Sequence, residues 1–322
     1  MPPQGGNLLH AIDFHQHMNQ FLITRYALGR HHECTISSES FQAAKEAFAI
    51  LNEVVLLEER FDAIAGGFLD FEKVMLAKIL EFSYAGFKDG LHQMAVRRDL
   101  NRTLMNALSA ARGYIDHLPQ TCSSVFGNED VRKHACQTSL RNSYDNFIGY
   151  RIFEALRNHS QHSGFPIQSI SYAHQVEREP PRTRSRLTLS PIAEVETLAQ
   201  NDKFKKTVLT EMRKLGKKID LKPHLREYMR CIARAHYIFR EHASPLVEAA
   251  NVTLNELLQQ FTTSGGDGNN IAIHAISKID EKFIETIPLA TGIYTYCEYL
   301  TKSNESFNQI DDFYIASAGR DS

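Results

Sequence analysis

The stretch Leu156-Arg157-Asn158-His159-Ser160-Gln161-His162-Ser163-Gly164-Phe165-Pro166 separates two periodicities. Before it, apolar residues recur at three- and four-residue intervals: Leu140, Tyr144, Phe147, Ile148, Ile152, Ala155 and Leu156 form one helical stripe. After it the interval is two. Ile170, Tyr172, His174 and Val176 alternate with Ser169, Ser171, Ala173 and Gln175, and Leu187 and Leu189 alternate with Arg186 and Thr188. Gly164 suits a left-handed residue closing a helix, and Pro166 prevents continuation. A helix is therefore expected to end here and a β-hairpin to follow, its strands joined by the long charged connector Glu177-Arg178-Glu179-Pro180-Pro181-Arg182. The same stretch sets an arginine, an amide and two histidines on the last helical turn.

Helical signals dominate elsewhere. One helix opens near Ser37 or Ser38 with Glu39 in its first turn and Phe41, Ala44, Phe48, Leu51 and Val55 as its stripe. Gly66-Gly67 allows a break before a second helix over residues 69–84. A third is expected over 99–118, ended by Pro119. Asn128-Glu129-Asp130 starts the helix that carries the opening stretch. Downstream, residues 202–215 form a helix, and Asp220 caps a longer one with the stripe Leu225, Met229, Ile232, His236 and Phe239. Ser244-Pro245 reads as the cap and first position of another helix, and residues 281–302 as a last one.

The expected fold is mainly α: one helical domain, with a bundle over 36–165, a β-hairpin excursion over 166–192, further bundle helices over 200–262 and a C-terminal helical extension over 270–322. No internal repeat or strong domain boundary interrupts it. The glycine cluster from Ser264 to Asn270 lacks a following Gly-Lys-Ser/Thr and is not a phosphate loop.

Composition bounds the function classes. Hydrophobic residues at 43% and charged residues at 23% describe an ordinary globular chain, and the net charge of −2 gives no global drive towards nucleic acid or membrane. The five cysteines, Cys34, Cys122, Cys136, Cys231 and Cys297, include no CxxC pair, which argues against a disulfide framework or zinc knuckle and for a reducing compartment. No run approaches the roughly 20 apolar residues of a membrane span, and the N-terminus lacks the features of a signal peptide. The cytoplasm is the expected location, with no membrane partner. His10, His15 and His17 lie close enough to suggest a metal-dependent hydrolase, but the alternating strands and helices that would supply further ligands are missing. No metal and no cofactor are expected.

A helical wheel continued from Leu140 puts Arg151, Glu154, Asn158 and His162 on or beside the inward face, with Arg157 on its flank. Inward polar groups need partners. They are either buried in hydrogen bonds and salt bridges to neighbouring helices, or they line a polar cleft.

Arg157-Asn158-His159-Ser160-Gln161-His162 is an arginine, a polar residue, three variable residues and a histidine. It resembles the RxxxxH motif of the HEPN superfamily, helical bundles found among prokaryotic toxins, phage-defence proteins and CRISPR-associated ribonucleases. The resemblance covers about residues 38–165 and the later helices. It implies a HEPN-like helical bundle; the hairpin and the C-terminal part lie outside the match, so the expected fold is a HEPN-like bundle with an inserted β-hairpin. It also implies a metal-independent endoribonuclease in which the ribose 2′-OH attacks the neighbouring phosphate, leaving 2′,3′-cyclic phosphate ends. His162 would then be the general acid or base, Arg157 would stabilise the developing phosphorane, and Asn158 would orient the phosphate. His159, Glu154 and Arg151 are supporting candidates: a second proton carrier, an orienting partner for Arg157, and an ion-pair partner or anion contact. Family members generally dimerise so that two motifs meet in one cleft. A homodimer is expected, acting as a toxin or antiviral defence effector with an antitoxin or activating partner. A subgroup is silenced through a tyrosine two residues after the histidine; Gly164 stands there, so that control is not expected.

Residues 177–226 hold thirteen Lys and Arg against seven Asp and Glu. Arg182, Arg184, Arg186, Lys203, Lys205 and Lys206 are the RNA-binding candidates, although a solvated helix face is the more usual outcome for such a patch. Tyr172 either stacks on a base or packs in the core. The competing reading is a non-catalytic HEPN-like module that uses the polar helix end for dimerisation or for binding nucleic acid or a nucleotide.

Overall fold

The computed structural model describes residues 19–27, 31–86, 89–127, 131–179, 182–269, 271–279 and 282–310. His10, His15, His17, the expected cap Asn128–Asp130 and the dipeptide Pro180–Pro181 lie outside these residues. The described chain is mainly helical, with eight α-helices and two small antiparallel sheets. None of these helices is long and apolar enough to cross a membrane. The chain divides into two compact units where the sequence reads as one helical body.

Unit 1 comprises residues 1–49 and 249–292. Its four-stranded sheet is ordered β2-β1-β6-β7, from β1 (Gln20–Arg25), β2 (Glu33–Thr35), β6 (Ile273–Ile279) and β7 (Lys282–Pro288). Leu22 pairs with both Thr35 and Ile276. The β6–β7 hairpin corrects the expectation of an all-helical C-terminal extension. Its apolar run Ile273, Ala275 and Ile276 is buried too continuously to show a clean alternation. Arg25 gathers the glycine-rich loop, donating to the carbonyls of Ile271 (2.6 Å) and Asn269 (2.7 Å) and pairing with Asp267.

Unit 2 comprises residues 50–248 and 293–322. It holds most of α1 (Ser38–Ala85), then α2 (Gly90–Phe126), α3 (Val131–Asn146), α4 (Ile148–His162), α5 (Val195–Ala199), α6 (Lys206–Leu215), most of α7 (Leu221–Thr263) and α8 (Gly292–Ser303). Three expected helix breaks are absent. Gly66-Gly67 lies inside α1, because Gly67 is a contact point: a Cβ there would sit 3.0 Å from the Ala107 Cα of α2. Pro119 lies inside α2 and Pro245 inside α7. An interior proline costs about 3 kcal/mol, but the buried stripe of α2 continues through Leu118, Cys122, Val125 and Phe126 beyond it. Each such side chain contributes about 1.5–3 kcal/mol.

One expected continuity is also absent. The helix read as continuous from 128 to 163 is interrupted at Phe147, whose backbone is extended (φ −116°, ψ 118°). The guanidinium of Arg230 lies over the Phe147 ring, 5.2 Å from its centre, and Glu227 accepts a 2.6 Å hydrogen bond from the Gly149 N–H at the start of α4.

The hairpin forms as expected, from β3 (Ser169–Glu179) and β4 (Arg182–Glu194), with β5 (Lys218–Asp220) on the far side of β4. Its connector is shorter than the sequence suggests: pairing continues from Tyr172↔Leu189 to Glu179↔Arg182, so the charged residues belong to the strands. Tyr172 stacks on Phe82 with ring centres 4.8 Å apart, so one face of its ring is taken up in packing. Asp220 accepts from the Lys222 N–H (3.0 Å) at the start of α7.

Within this unit a charged network is sealed in the core. Glu58 and His236 are 1% and 0% exposed, so every charge there needs a partner. Arg240 donates to both Glu58 oxygens (2.8 and 2.6 Å), and His236 Nε2 lies 3.2 Å from Glu58 at an angle short of a hydrogen bond. The Tyr114 hydroxyl meets His236 Nδ1 at 3.0 Å, and Phe61 stacks on the imidazole.

Candidate functional site

The interruption at Phe147 changes which face of α4 is polar and outward. A wheel carried across it from Leu140 is out of phase, and the expectation that Asn158 and His162 point inward is corrected: both are exposed. Ile152, Phe153 and Leu156 are fully buried on one side of α4. Arg151, Glu154, Asn158 and His162, three or four residues apart, line the other. That polar stripe forms one wall of a cleft of about 200 Å³. Lys203, Phe204 and Lys205, in the turn before α6, with Asn201 and Tyr144, form the rest.

Each wall residue is held differently. Arg151 is a staple: its guanidinium donates to the carbonyls of Tyr144 (2.6 Å) and Asp145 (2.9 Å) at the end of α3 and to Glu211 of α6 (2.9 Å). Lys205 lies over the Tyr144 ring, 4.6 Å from its centre, and donates to the Tyr144 hydroxyl. Glu154 accepts from the Tyr228 hydroxyl (2.9 Å) and faces Arg157 at 3.8 Å.

Arg157 and His162 occupy different surroundings. Arg157 is buried, its Nε has no hydrogen-bond partner, and it is not among the residues lining the cleft. His162 lines the cleft and also a neighbouring trough of about 800 Å³, bounded further by Phe165, Gln168, Thr197 and Gln200. His159 lines both hollows but is itself buried, and that burial pushes its imidazole below the ordinary pKa.

The end of α4 departs from its expected form. Gly164 does not have positive φ. The N–H groups of Ser163 and Gly164 both donate to the His159 carbonyl (2.9 and 3.2 Å). A Cβ at 164 would lie 3.3 Å from His159 Nε2, so the glycine relieves crowding against the imidazole and does not serve a left-handed turn. The chain beyond is fastened to α2. The buried Asn101 amide exchanges two hydrogen bonds with the Ile167 backbone (2.9 and 3.0 Å), and Arg97 donates to the Gln168 carbonyl (2.8 Å).

The basic candidates separate. Lys203 and Lys205 line the cleft; Arg186 on β4 and Lys206 at the start of α6 are exposed but do not. Arg182 and Arg184 pair in register with Glu179 and Glu177, and their side chains lie outside the described residues. Asn201 carried no signal in the sequence, since its partner His159 lies 42 residues away. Among the described residues no three His, Cys, Asp or Glu side chains converge to hold a metal ion, and all five cysteines are buried free thiols. Compared with known proteins, the chain matches no family model, no curated protein and no solved structure.

Proposed function

We propose that the chain is a metal-independent endoribonuclease of HEPN type, acting on single-stranded RNA at the cleft beside the end of α4. The observation that carries this reading is the exposed pair Asn158 and His162 in a cleft that also presents Lys203 and Lys205. The lysines attract the RNA backbone, and an imidazole in reach of the substrate can take up or release a proton. In the reaction the 2′-oxygen loses its proton and bonds to phosphorus, the P–O5′ bond breaks, and the leaving oxygen takes up a proton. His162 serves one transfer, and His162 of a second copy in a homodimer serves the other. A toxin or defence effector in the cytoplasm, held by an antitoxin or activating partner, is the setting this chemistry suits.

Arg157 favours a second reading. Buried against Glu154, it supports the polar face from within, as it would in a non-catalytic module that only binds nucleic acid. Incubation of the purified chain with RNA in EDTA separates the two. Under the nuclease reading RNA is cut to 2′,3′-cyclic phosphate ends, and both His162→Ala and Arg157→Ala abolish cutting. RNA that is bound but left intact, or cut equally well by His162→Ala, overturns it.

A further inference from the structure

We propose that Asn201 holds His159 as the neutral tautomer protonated on Nε2, and that this N–H donates a hydrogen bond to a phosphoryl oxygen of RNA bound beside His162; the RNA part rests on the ribonuclease reading above. The tautomer follows from hydrogen bonds that can be satisfied in only one way. Asn201 Oδ1 accepts the Lys203 backbone N–H at 3.0 Å, so the other end of the amide, Nδ2, is the one that faces His159 Nδ1 at 3.0 Å. An amide nitrogen only donates, so Nδ1 accepts and the ring proton sits on Nε2. The edge of Phe204 against the imidazole, 5.8 Å between ring centres, fixes the ring plane.

His159 Nε2 lies beside Gly164, a position without a side chain, where any larger residue would bring a Cβ to 3.3 Å. Among the described residues Nε2 has no hydrogen-bond partner, and it is not one of the buried unsatisfied atoms. His159, His162, Asn201 and Lys203 are the residues common to the cleft and the trough, so this donor stands where the two hollows adjoin. Its Nδ1 lone pair is engaged by Asn201, which leaves His159 able to donate but not to act as a base. The two histidines, one turn apart, then divide the work: His159 binds and His162 exchanges the proton.

Long-range nitrogen–proton NMR of the full chain, labelled at histidine, reads the tautomer directly. The expected result is Nε2–H for His159 in the wild type, its signal displaced by inorganic phosphate, and Nδ1–H in Asn201→Asp, where a carboxylate faces the ring. Binding of a single-stranded RNA oligonucleotide is measured in EDTA on a His162→Ala background, with circular dichroism to verify folding. His159→Ala and Asn201→Asp should each weaken binding by about tenfold to a hundredfold. His159→Gln, which keeps a neutral donor, should recover most of it. An Nδ1–H tautomer in the wild type, or RNA affinities unchanged in His159→Ala and Asn201→Asp while the wild type still cuts RNA, would overturn the donor and leave the ribonuclease reading standing. A phosphate response at His159 in a protein that neither binds nor cuts RNA would keep the donor and overturn RNA as its ligand.

Discussion

His236 and His159 are both met at Nδ1 by a neighbouring side chain, the Tyr114 hydroxyl in one case and the Asn201 amide in the other, each at 3.0 Å. Opposite His236 Nε2 stands the Glu58 carboxylate, 3.2 Å away and itself gripped by Arg240. Opposite His159 Nε2 stands a glycine. The helical unit thus uses one device twice. In the core the Glu58 carboxylate is answered by Arg240, and Glu58, His236 and Tyr114 are closed to solvent, so the cluster serves cohesion. At the end of α4 one donor is left unanswered at the meeting of two solvent-reached hollows, which is the arrangement of a binding site. What separates the two clusters is whether solvent reaches the open position: His236 Nε2 is sealed in the core, while His159 lies where two hollows meet.

That contrast can be broken most directly by removing the core carboxylate. Glu58→Ala leaves Arg240 without its anion and should destabilise the protein by about 3–5 kcal/mol, read as a lowered urea midpoint. Acid should do the same reversibly. Burial alone would raise the Glu58 carboxyl, but the His236 and Arg240 charges more than offset this and lower it from 4.5 to about 2. Its contribution, on the order of 3 kcal/mol, is therefore complete above pH 4.5 and lost as the pH falls through 2. Burial lowers the His236 imidazole below 6.5, so the unfolded chain takes up that proton first and stability also declines below that pH. Both shifts act in the same direction, and Glu58→Gln should flatten the decline below pH 4.5 in urea titrations at several pH values.

Overpacking comes next. Gly67→Val pushes α1 off α2 at Ala107 and should cost about 1–3 kcal/mol in thermal unfolding. At the other cluster the same kind of surgery should barely register in stability: His162→Ala is expected to stay within about 0.5 kcal/mol of the wild type, yet lower RNA cleavage by about 10²–10⁴-fold. A large stability loss in His162→Ala would erase the distinction between the clusters. The smallest effect sharpens it: Lys205→Ala should reduce the steepness of log affinity against log salt by about 0.7 for single-stranded RNA.

What could be read from the residues was local. Ser37 caps α1 through the Ser40 N–H, Asp220 caps α7, and the alternation from Ile170 to Leu189 produced the hairpin. What failed was decided by packing at a distance. Pro119, Pro245 and Gly66-Gly67 carry breaking signals that buried helix faces override. Phe147 carries none, yet it is where the helix stops, because its ring and the first turn of α4 answer to Arg230 and Glu227 on α7. The motif residues could be listed, but their orientation could not, since that one interruption turns Asn158 and His162 outward. Asn201 was invisible for the same reason: nothing near it in the chain names its partner.

The interruption at Phe147 also has a consequence for how this protein can change over generations. In an unbroken helix a single inserted residue swings everything downstream by about 100°, which would carry His162 off the cleft. Here α4 is held by Glu227 and by the Asn101 clamp at Ile167 as well as by the Arg151 tie to the end of α3. An inserted residue in α3 therefore works against anchors on α7 and α2 that hold α4 in place, and the extended residue at Phe147 is where the mismatch can be taken up.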